Sequence, residues 1–394
     1  MGRSVLVVLA PERDALLARK VAGLTFADRL RKSASHAGFD STLFVPGNDS
    51  GGDGDVFREW SKPSGETCLV LLKKGYLPDA RYLESLRTLG RSAGQFMTGA
   101  NSPALVYRTD NPGEWLEKVS LYRDASDLFV RLFAESGTTT VPIKEGKVYK
   151  LDSAERIPEV EKLLFNALVK DTEGFMSKHV ERKISLAISR RLVDAPITPN
   201  QMSIVSILIG LVGAVFLGAR QGFCQVLGAC LFLAHSILDG CDGELARIRF
   251  QQSRFGGLLD YWGDNVVHSA VFFALGFEWS RRAASVYPYV LAGLAIFGTL
   301  ASAGWIYWNT MREKSDKEPL YTSVSASEEK SATVKVVDFL SRRDFIYLVI
   351  VLAIFRKLDW FLGLGAAGAP FFFLVLLWIH FREKSARSAP SRTH

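Results

Sequence analysis

The chain has 394 residues, a formal net charge of +7 and 48% apolar residues, a length sufficient for two or three domains. A positive mean hydropathy of +0.11 and long uncharged runs exclude an ordinary soluble protein and indicate a membrane. The basic excess fits lysine and arginine placed beside cytoplasmic helix ends, where they face anionic lipid. No basic stripe with interleaved aromatic residues occurs, so we expect no nucleic-acid partner.

The first 165 residues have the pattern of an α/β domain. Short apolar runs alternate with helix-like stretches, and this order favours a parallel sheet covered by helices, a Rossmann-like arrangement. The glycine- and aspartate-rich segment Asn48–Asp55 is expected to be a loop. The predicted strands are Val5–Ala10, Thr42–Val45, Thr67–Leu72 and Ala104–Tyr107, and the predicted helices are Ala15–Ala37 and Asp79–Arg91.

The chain's beginning and its cysteines point to the cytoplasm. The run VLVVLA is too short for a signal peptide, so the N-terminal domain should stay cytoplasmic. The four cysteines form neither a C-x-x-C pair nor a zinc-type cluster with histidine, which predicts reduced thiols.

Residues 166–198 are predicted to contain a basic amphipathic helix in the membrane interface. A surface helix packed on the soluble domain is the alternative. The segment Ala195–Asn200 should end this helix, with Pro199 able to start the next one. The apolar face consists of Val180, Ile184, Ala187, Ile188 and Leu192.

Residues 199–385 are predicted to form six membrane spans, followed by a basic cytoplasmic tail over 386–394. With six spans, three basic residues near the second junction, seven between Arg312 and Arg343 and four after Phe381 lie inside, against five outside. This bias predicts that both termini are cytoplasmic, whereas five spans would put the tail outside. The predicted spans are Met202–Ala219, Gly222–Leu238, Phe255–Phe277, Ala284–Met311, Phe345–Phe355 and Trp360–Phe381.

Four aspartates lie around the junction of the second and third spans. Asp239 and Asp242 share one helical face, as do Asp260 and Asp264 on the following helix. A tight turn at Ser253–Phe255 would let these helices run antiparallel and bring the carboxylates together at the cytoplasmic end. Such carboxylates would repel one another, and two divalent cations, Mg²⁺ or Mn²⁺, would relieve the repulsion.

The string D-x2-D-G-x2-A-R-x8-G-x3-D-x3-D around these aspartates resembles the signature of the CDP-alcohol phosphotransferase family. The resemblance implies a homodimeric cell-membrane enzyme that transfers a phosphoalcohol from a CDP-alcohol to an acceptor alcohol and releases CMP. It implies that Asp239, Asp242 and Asp260 bind metal, with Asp264 as metal neighbour and general base. The implied CDP-binding residues are Gly243, Ala246 and Gly256, which shape the cytidine pocket, and Arg247, which holds the diphosphate.

The N-terminal domain resembles a sugar-phosphate nucleotidyltransferase fused to such a membrane domain, as in proteins that make and use CDP-inositol. Two departures predict that it is inactive. The glycine-rich nucleotide loop after the first strand is replaced by APERDALLAR, and KKG follows Thr67–Leu72 where a metal-binding aspartate would stand.

Several residues near the motif keep two interpretations. Asn200 could reach the nucleotide or start a helix, and Arg247 could be an ordinary cytoplasmic charge. His235 and His268 are interpreted as bundle histidines, with orientation of an aspartate as the alternative. Arg249 and Arg254 are interpreted as cytoplasmic charges, and Glu244 as solvent-facing. For the whole chain, the alternative to a transferase is a cation-binding membrane scaffold or transporter, and the donor and acceptor alcohols stay open.

Overall fold

A computed structural model describes residues 3–11, 14–45, 66–89, 97–99, 102–121, 139–141, 143, 145–169, 180–312 and 345–388. The chain divides into two units, Met1–Asn166 and Ala167–His394, and each is described by itself. The loop predicted at Asn48–Asp55 lies outside the described residues. Of the predicted tail over 386–394, the structure describes only residues 386–388.

The first unit is a mixed α/β unit. Its helices are α1 (Phe26–His36), α2 (Ala80–Thr88), α3 (Pro112–Leu121) and α4 (Ile157–Asn166). Its strands are β1 (Arg3–Leu9), β2 (Lys20–Val21), β3 (Leu24–Thr25), β4 (Ser41–Phe44), β5 (Thr67–Lys73), β6 (Tyr76–Pro78), β7 (Met97–Gly99), β8 (Ala104–Thr109), β9 (Thr139–Val141) and β10 (Val148–Lys150).

Six strands form one sheet in the order β4-β1-β5-β8-β7-β9. The central strand β1 pairs in parallel with both neighbours, Val5 opposite Ser41 on one side and Leu69 on the other. Its uninterrupted apolar run is buried on both faces, as expected for a central strand. The four predicted strands are all present. The expectation of a parallel sheet is wrong at β8, which runs antiparallel to β5, so the sheet is mixed.

The helix predicted over Ala15–Ala37 is shorter than expected. Helix α1 begins at Phe26, where the Thr25 side chain accepts a hydrogen bond from the Asp28 amide. Residues before it turn back through the β2–β3 hairpin, because Ala22 and Gly23 have left-handed backbone angles (φ 49° and 86°) that end any helix. The apolar periodicity there reflects a packed loop rather than helical turns.

The second unit is helical. Its helices are α5 (Arg182–Leu192), α6 (Pro199–Leu217), α7 (Gly222–Ile248), α8 (Arg254–Ala283), α9 (Tyr287–Ile306), α10 (Phe345–Ile354) and α11 (Leu358–Ser388), and α9 continues through a π-helical turn, Tyr307–Met311. In the described part of the chain, four helices are long and apolar enough to cross a membrane: α6, α7, Tyr287–Asn309 and Leu358–Arg382. Helix α8 carries the charged residues described below, and α10 has ten apolar residues.

Helices α6 and α7 approach each other closely at two glycines, Gly213 and Gly228. A methyl group placed on Gly228 would lie 2.6 Å from the Leu217 amide nitrogen and 2.7 Å from the Gly213 carbonyl oxygen. Both neighbours are backbone atoms, so they cannot move aside without shifting a helix. The close approach sets the distance between the helix that begins near Asn200 and the helix that carries Asp239.

We predict that Gly228→Ala destabilises the second unit by about 2 kcal/mol, because overpacking forces the two helix backbones apart. The measurement is the thermal unfolding midpoint of the full chain in neutral detergent. Gly293→Ala is the matched control, since Gly293 is also helical and has no heavy atom within 4 Å of an added methyl group. Equal midpoints for the two variants would contradict the prediction.

Candidate active site

A short junction joins α7 to α8. Phe250 has a left-handed backbone (φ 55°) that ends α7, and the Gln251 amide donates to the Ala246 carbonyl at 2.8 Å. The Ser253 side chain then accepts from the Gly256 amide at 3.0 Å and starts α8. The five-residue turn from Arg249 to Ser253 therefore brings the last turns of α7 beside the first turns of α8. The turn lies earlier than the predicted Ser253–Phe255, because Arg254 and Phe255 already belong to α8.

Three of the four predicted carboxylates converge. Asp239, Asp260 and Asp264 each offer one carboxylate oxygen, and these oxygens lie within 4.8 Å of one another. Asp239 is only 6% exposed, so the cluster is poorly hydrated. Asp242 is equally buried but lies outside this group, and its carboxylate accepts a hydrogen bond from the Ser203 hydroxyl of α6.

The donor set fits a hard divalent cation. Carboxylate oxygens are the ligands that Mg²⁺ and Mn²⁺ prefer. Three carboxylates at this separation repel one another, and burial strengthens that repulsion because less water screens it. Asp239, Asp260 and Asp264 together thus fit a cation site among the described residues.

His235 contacts the cluster in a way that the sequence did not reveal. Its Nδ1 lies 2.9 Å from the Ser206 carbonyl oxygen, and its Nε2 lies 3.4 Å from Asp264 Oδ1. The position of His235, four residues before Asp239, suggested a contact with Asp239. The imidazole ring instead contacts Asp264 on α8. His268, the other histidine considered, packs against the rings of Phe232 and Phe345 at 5.5 and 5.8 Å.

Two of the predicted CDP-binding glycines lie under polar side chains. A methyl group on Gly243 would lie 3.1 Å from Arg247 Nη1, and one on Gly256 would lie 2.6 Å from Asn200 Oδ1. The Arg247 and Asn200 side chains occupy the space over these glycines, so an added methyl group would have to displace them. The Asn200 side chain therefore extends from α6 to the start of α8. Ala246, the third predicted CDP-binding position, is partly exposed on α7, the helix that carries the first part of the motif. The start of α6 is capped instead by Thr198, through a capping box with Gln201.

Glu244 is fully buried, so the prediction that it faces solvent is wrong. Its Oε1 accepts hydrogen bonds from Arg182 Nη1 at 3.0 Å and from the Ser185 hydroxyl at 2.6 Å. Both donors lie on α5, and the Cys241 thiol lies 3.5 Å from the Ser185 carbonyl oxygen. The motif helix α7 thus binds the amphipathic helix through positions that the motif leaves unspecified.

The orientation of α5 follows from these contacts. Ser185 and Ser189 are buried against the bundle, whereas the apolar residues Val180 and Ile184 are 37% and 42% exposed. The face that the sequence pattern marked as apolar therefore points away from α7. An exposed apolar stripe beside a basic one is the pattern of a helix lying in a membrane interface.

Arg249 has a structural function beyond its charge. Its guanidinium donates to the carbonyl oxygens of Leu192, Val193, Ala195 and Ile197 at 2.5 to 2.9 Å. These carbonyls belong to the end of α5 and to the segment leading into α6, and they would otherwise lack helical partners. Arg254, interpreted in the same way from sequence, donates to the Arg312 carbonyl oxygen at 3.0 Å.

Part of the second unit matches a known protein family. Residues 196–362 match the family model for CDP-alcohol phosphatidyltransferase. Among curated proteins, a bifunctional IPC transferase and DIPP synthase from Thermococcus kodakarensis is 39% identical over 111 residues, 28% of this chain and 24% of the relative. Its counterpart from Aquifex aeolicus is 30% identical over 207 residues, 52% of this chain and 44% of the relative.

These matches span less than half of the length of either relative. Among solved structures, Mycobacterium tuberculosis phosphatidylinositol phosphate synthase with CDP-DAG bound is 20% identical, with a TM-score of 0.34. That comparison covers 53% of this chain and 96% of the synthase.

We predict that Arg182→Ala costs about 3 kcal/mol of stability, because it leaves the buried Glu244 charge without its cationic partner. Arg182→Leu combined with Glu244→Leu should recover most of that loss, since both charges are then absent. Unfolding midpoints of the full chain in neutral detergent measure both effects. Lys183→Ala, an exposed neighbour on the same helix, serves as control and should change little; a loss equal to that of Arg182→Ala would refute the pairing.

Proposed function

We propose that the chain transfers a phosphoalcohol group from a CDP-alcohol to an acceptor alcohol and releases CMP. The observation that supports it most directly is the convergence of Asp239, Asp260 and Asp264 within the domain that matches the CDP-alcohol phosphatidyltransferase model. Bringing two anionic or polar substrates together at an acidic cluster requires cations, and the same cluster supplies their ligands.

The metal ligands in this proposal are Asp239, Asp242 and Asp260, with Asp264 beside them. Two divalent cations bound there, Mg²⁺ or Mn²⁺, would supply positive charge to the diphosphate and make the acceptor hydroxyl more acidic. Asp242 is held in place by the Ser203 hydroxyl, which fixes its direction from a second helix.

The general base in this proposal is Asp264. It accepts the proton of the acceptor hydroxyl while that oxygen attacks the phosphorus bearing the donor alcohol, and CMP leaves. His235 lies 3.4 Å from one oxygen of Asp264 and is fixed from behind by the Ser206 carbonyl. This contact supports Asp264 as a carboxylate with a defined orientation rather than a freely rotating one.

The nucleotide in this proposal lies over Gly243, Ala246 and Gly256. Because the two glycines carry no side chain, a flat base can approach their backbone once the Arg247 and Asn200 side chains that lie against them turn aside. Arg247 then offers a two-pronged guanidinium to the diphosphate oxygens. The Asn200 amide, 2.6 Å from the methyl position of Gly256, borders the same space and supports a contact with the nucleotide.

The substrates that we favour are a polar CDP-alcohol and an inositol-phosphate acceptor. Two relatives that match this chain over 111 and 207 residues are each named as a bifunctional IPC transferase and DIPP synthase. The competing choice is CDP-diacylglycerol as donor with a polar acceptor. A screen of donors and acceptors, with products identified by mass, distinguishes the two.

We propose six membrane crossings by α6 to α11, with both termini and the aspartates on the cytoplasmic side of the cell membrane, and a homodimer as the resemblance implies. Helix α8 has 30 residues, about 45 Å of rise and more than a bilayer core requires. Helix α10 has ten apolar residues and needs the flanking segment to complete its crossing. The larger number of basic residues on the motif side supports this orientation.

The first unit is proposed to be an inactive relative of a nucleotidyltransferase. The loop after β1 is tied to its own unit: the Ala22 amide donates to Glu161 at 2.6 Å, and Arg29 donates to the Val21 and Ala22 carbonyls. Burial lowers the pKa of Arg29 to about 10, so this guanidinium stays charged at neutral pH but is committed to that loop.

The turn after β5 supports the same interpretation. Lys74 Nζ lies 2.5 Å from Asp14 Oδ2, so a lysine from this turn pairs with an acid from the loop after β1. A triphosphate and its metal would need the opposite arrangement, with free cationic donors in the first loop and a free carboxylate in the second.

We predict that the full chain releases CMP from its CDP-alcohol only with Mg²⁺ or Mn²⁺, and that Asp264→Asn lowers the rate by at least a hundredfold, because the amide cannot accept the proton. The assay follows CMP with CDP-inositol or CDP-diacylglycerol and candidate acceptors. Asp110→Asn, an exposed acid of the first unit, is the control and should retain full activity. Undiminished CMP release by Asp264→Asn would overturn its role as general base, whereas no CMP from any substrate pair would favour a cation-binding scaffold or transporter.

We also predict no pyrophosphate release when the chain is incubated with CTP, Mg²⁺ and inositol phosphate, because Lys74 and Asp14 pair with each other where a triphosphate and its metal would need free groups. Release of CMP in a parallel reaction shows that the preparation is folded and active. Pyrophosphate formation that depends on the sugar phosphate would overturn this assignment of the first unit.

A further inference from the structure

A cavity of about 400 Å³ lies at the opposite end of the bundle from the aspartates. Fourteen residues separate Gln225 from Asp239 on α7, and fourteen separate Asp264 from Glu278 on α8, so the two places are about 20 Å apart along each helix. The cavity is therefore separate from the acidic cluster. Its lining residues are Arg220, Gln225, Glu278, Arg282, Arg356 and Leu358.

Three guanidinium groups converge on this cavity from three different segments, two loops and the last turn of α8. Arg220 follows α6, Arg282 ends α8, and Arg356 joins α10 to α11. Arg356 Nη2 donates to the Arg220 carbonyl and Arg220 Nη2 donates to the Arg281 carbonyl, both at 3.0 Å. These bonds connect the two loops with the end of α8 and orient the arginine side chains toward the same cavity.

The positive charge of the lining exceeds the negative charge. Glu278 is the one acid of the lining, and it lies 3.5 Å from Arg282 Nε. Each guanidinium has five N–H donors, and the contacts within the described residues use one of Arg220 and one of Arg356. Most donors are thus directed to the cavity or to solvent. Guanidinium groups in this arrangement match the oxygens of a phosphate.

The backbone of Arg356 gives a second, independent indication. Arg356 has a left-handed conformation (φ 54°) at the position after α10 where glycine is usual, with the Lys357 amide bonded to the Leu352 carbonyl. A side chain there costs about 1 kcal/mol. The first residue of α7 is the small Gly222, and a methyl group on it would lie 3.3 Å from Arg356 Nε. Arg356 thus occupies a position that favours glycine and packs against Gly222, which indicates that its guanidinium has a function.

The surroundings of the cavity are apolar. Phe223, Val286, Phe355 and Trp360 lie at the same end of the bundle and are 80%, 73%, 70% and 65% exposed. Large apolar side chains exposed at helix ends are typical of the level where lipid headgroups meet acyl chains. A cavity of this volume also exceeds what a bare phosphate needs and falls within the range of small-ligand sites.

We propose that this cavity binds a phosphate ester anion, with the headgroup of an anionic phospholipid on the membrane face opposite the aspartates as the ligand that its surroundings favour. Arg220, Arg282 and Arg356 donate to the phosphate oxygens, and the exposed aromatic side chains contact the acyl chains. The site is independent of the transfer reaction proposed above.

The test measures ligand binding to the full chain in neutral detergent with EDTA present, which suppresses cation-bridged binding at the aspartates. The probes are phosphatidylglycerol, phosphatidylcholine and inorganic phosphate, followed by native mass spectrometry and by the thermal unfolding midpoint. We expect phosphatidylglycerol to bind and to raise the midpoint, and phosphatidylcholine to do neither. A rise of similar size with inorganic phosphate would support the anion site with a free anion as its occupant.

The decisive variant is Arg356→Gly, which removes a guanidinium and relieves the left-handed backbone, so the chain should fold at least as well. It should weaken phosphatidylglycerol binding roughly tenfold, as should Arg220→Gln combined with Arg282→Gln. Arg281→Gln is the matched control, since its guanidinium lies over the Phe277 ring at 5.2 Å and does not line the cavity. Binding of neither anion, or equal loss in Arg281→Gln and Arg356→Gly, would overturn the proposal.

Discussion

Asp239, Asp260 and Asp264 place oxygens within 4.8 Å of one another inside an apolar helix bundle. Ionised carboxylates at such a distance repel by on the order of 3 kcal/mol per pair even at an effective dielectric constant near 20. The helices that carry them must be held against that force. Helix α6 provides two of the supports, the Ser203 hydroxyl on Asp242 and the Ser206 carbonyl behind His235. The glycine contacts between α6 and α7 allow the approach that these bonds require.

Helices α7 and α8 connect two ends of the bundle that carry opposite charges. Where α7 and α8 meet through a tight turn, the bundle concentrates acids; where they diverge, it concentrates guanidinium groups. Three of these guanidinium groups, those of Arg220, Arg282 and Arg356, line one cavity. The bundle thus separates an acidic end from a basic end by the length of its apolar core.

The sequence predicted the parts that depend on short-range periodicity. The i, i+3 and i, i+4 spacing of the aspartates determines their shared faces, and the apolar runs of β1 and β5 determine central strands. Contacts between distant residues escaped it. The burial of Glu244 depends on Arg182, 62 residues away, and the antiparallel direction of β8 depends on a chain reversal that local pattern does not encode. The apolar periodicity of Ala15–Ala37 is present in the sequence, but the left-handed backbone of Ala22 and Gly23 prevents one continuous helix there.

The hydrogen bonds from Arg249 to four carbonyls between Leu192 and Ile197 affect the design of chimeras between such proteins. The obvious place to cut would be Pro199, where the first long apolar helix begins. A cut there would separate α5 from Glu244 and Arg249, which secure it to the motif helix. The functional boundary of this helical unit lies upstream of Arg182, where α5 begins, and a chimera should transfer α5 together with α7.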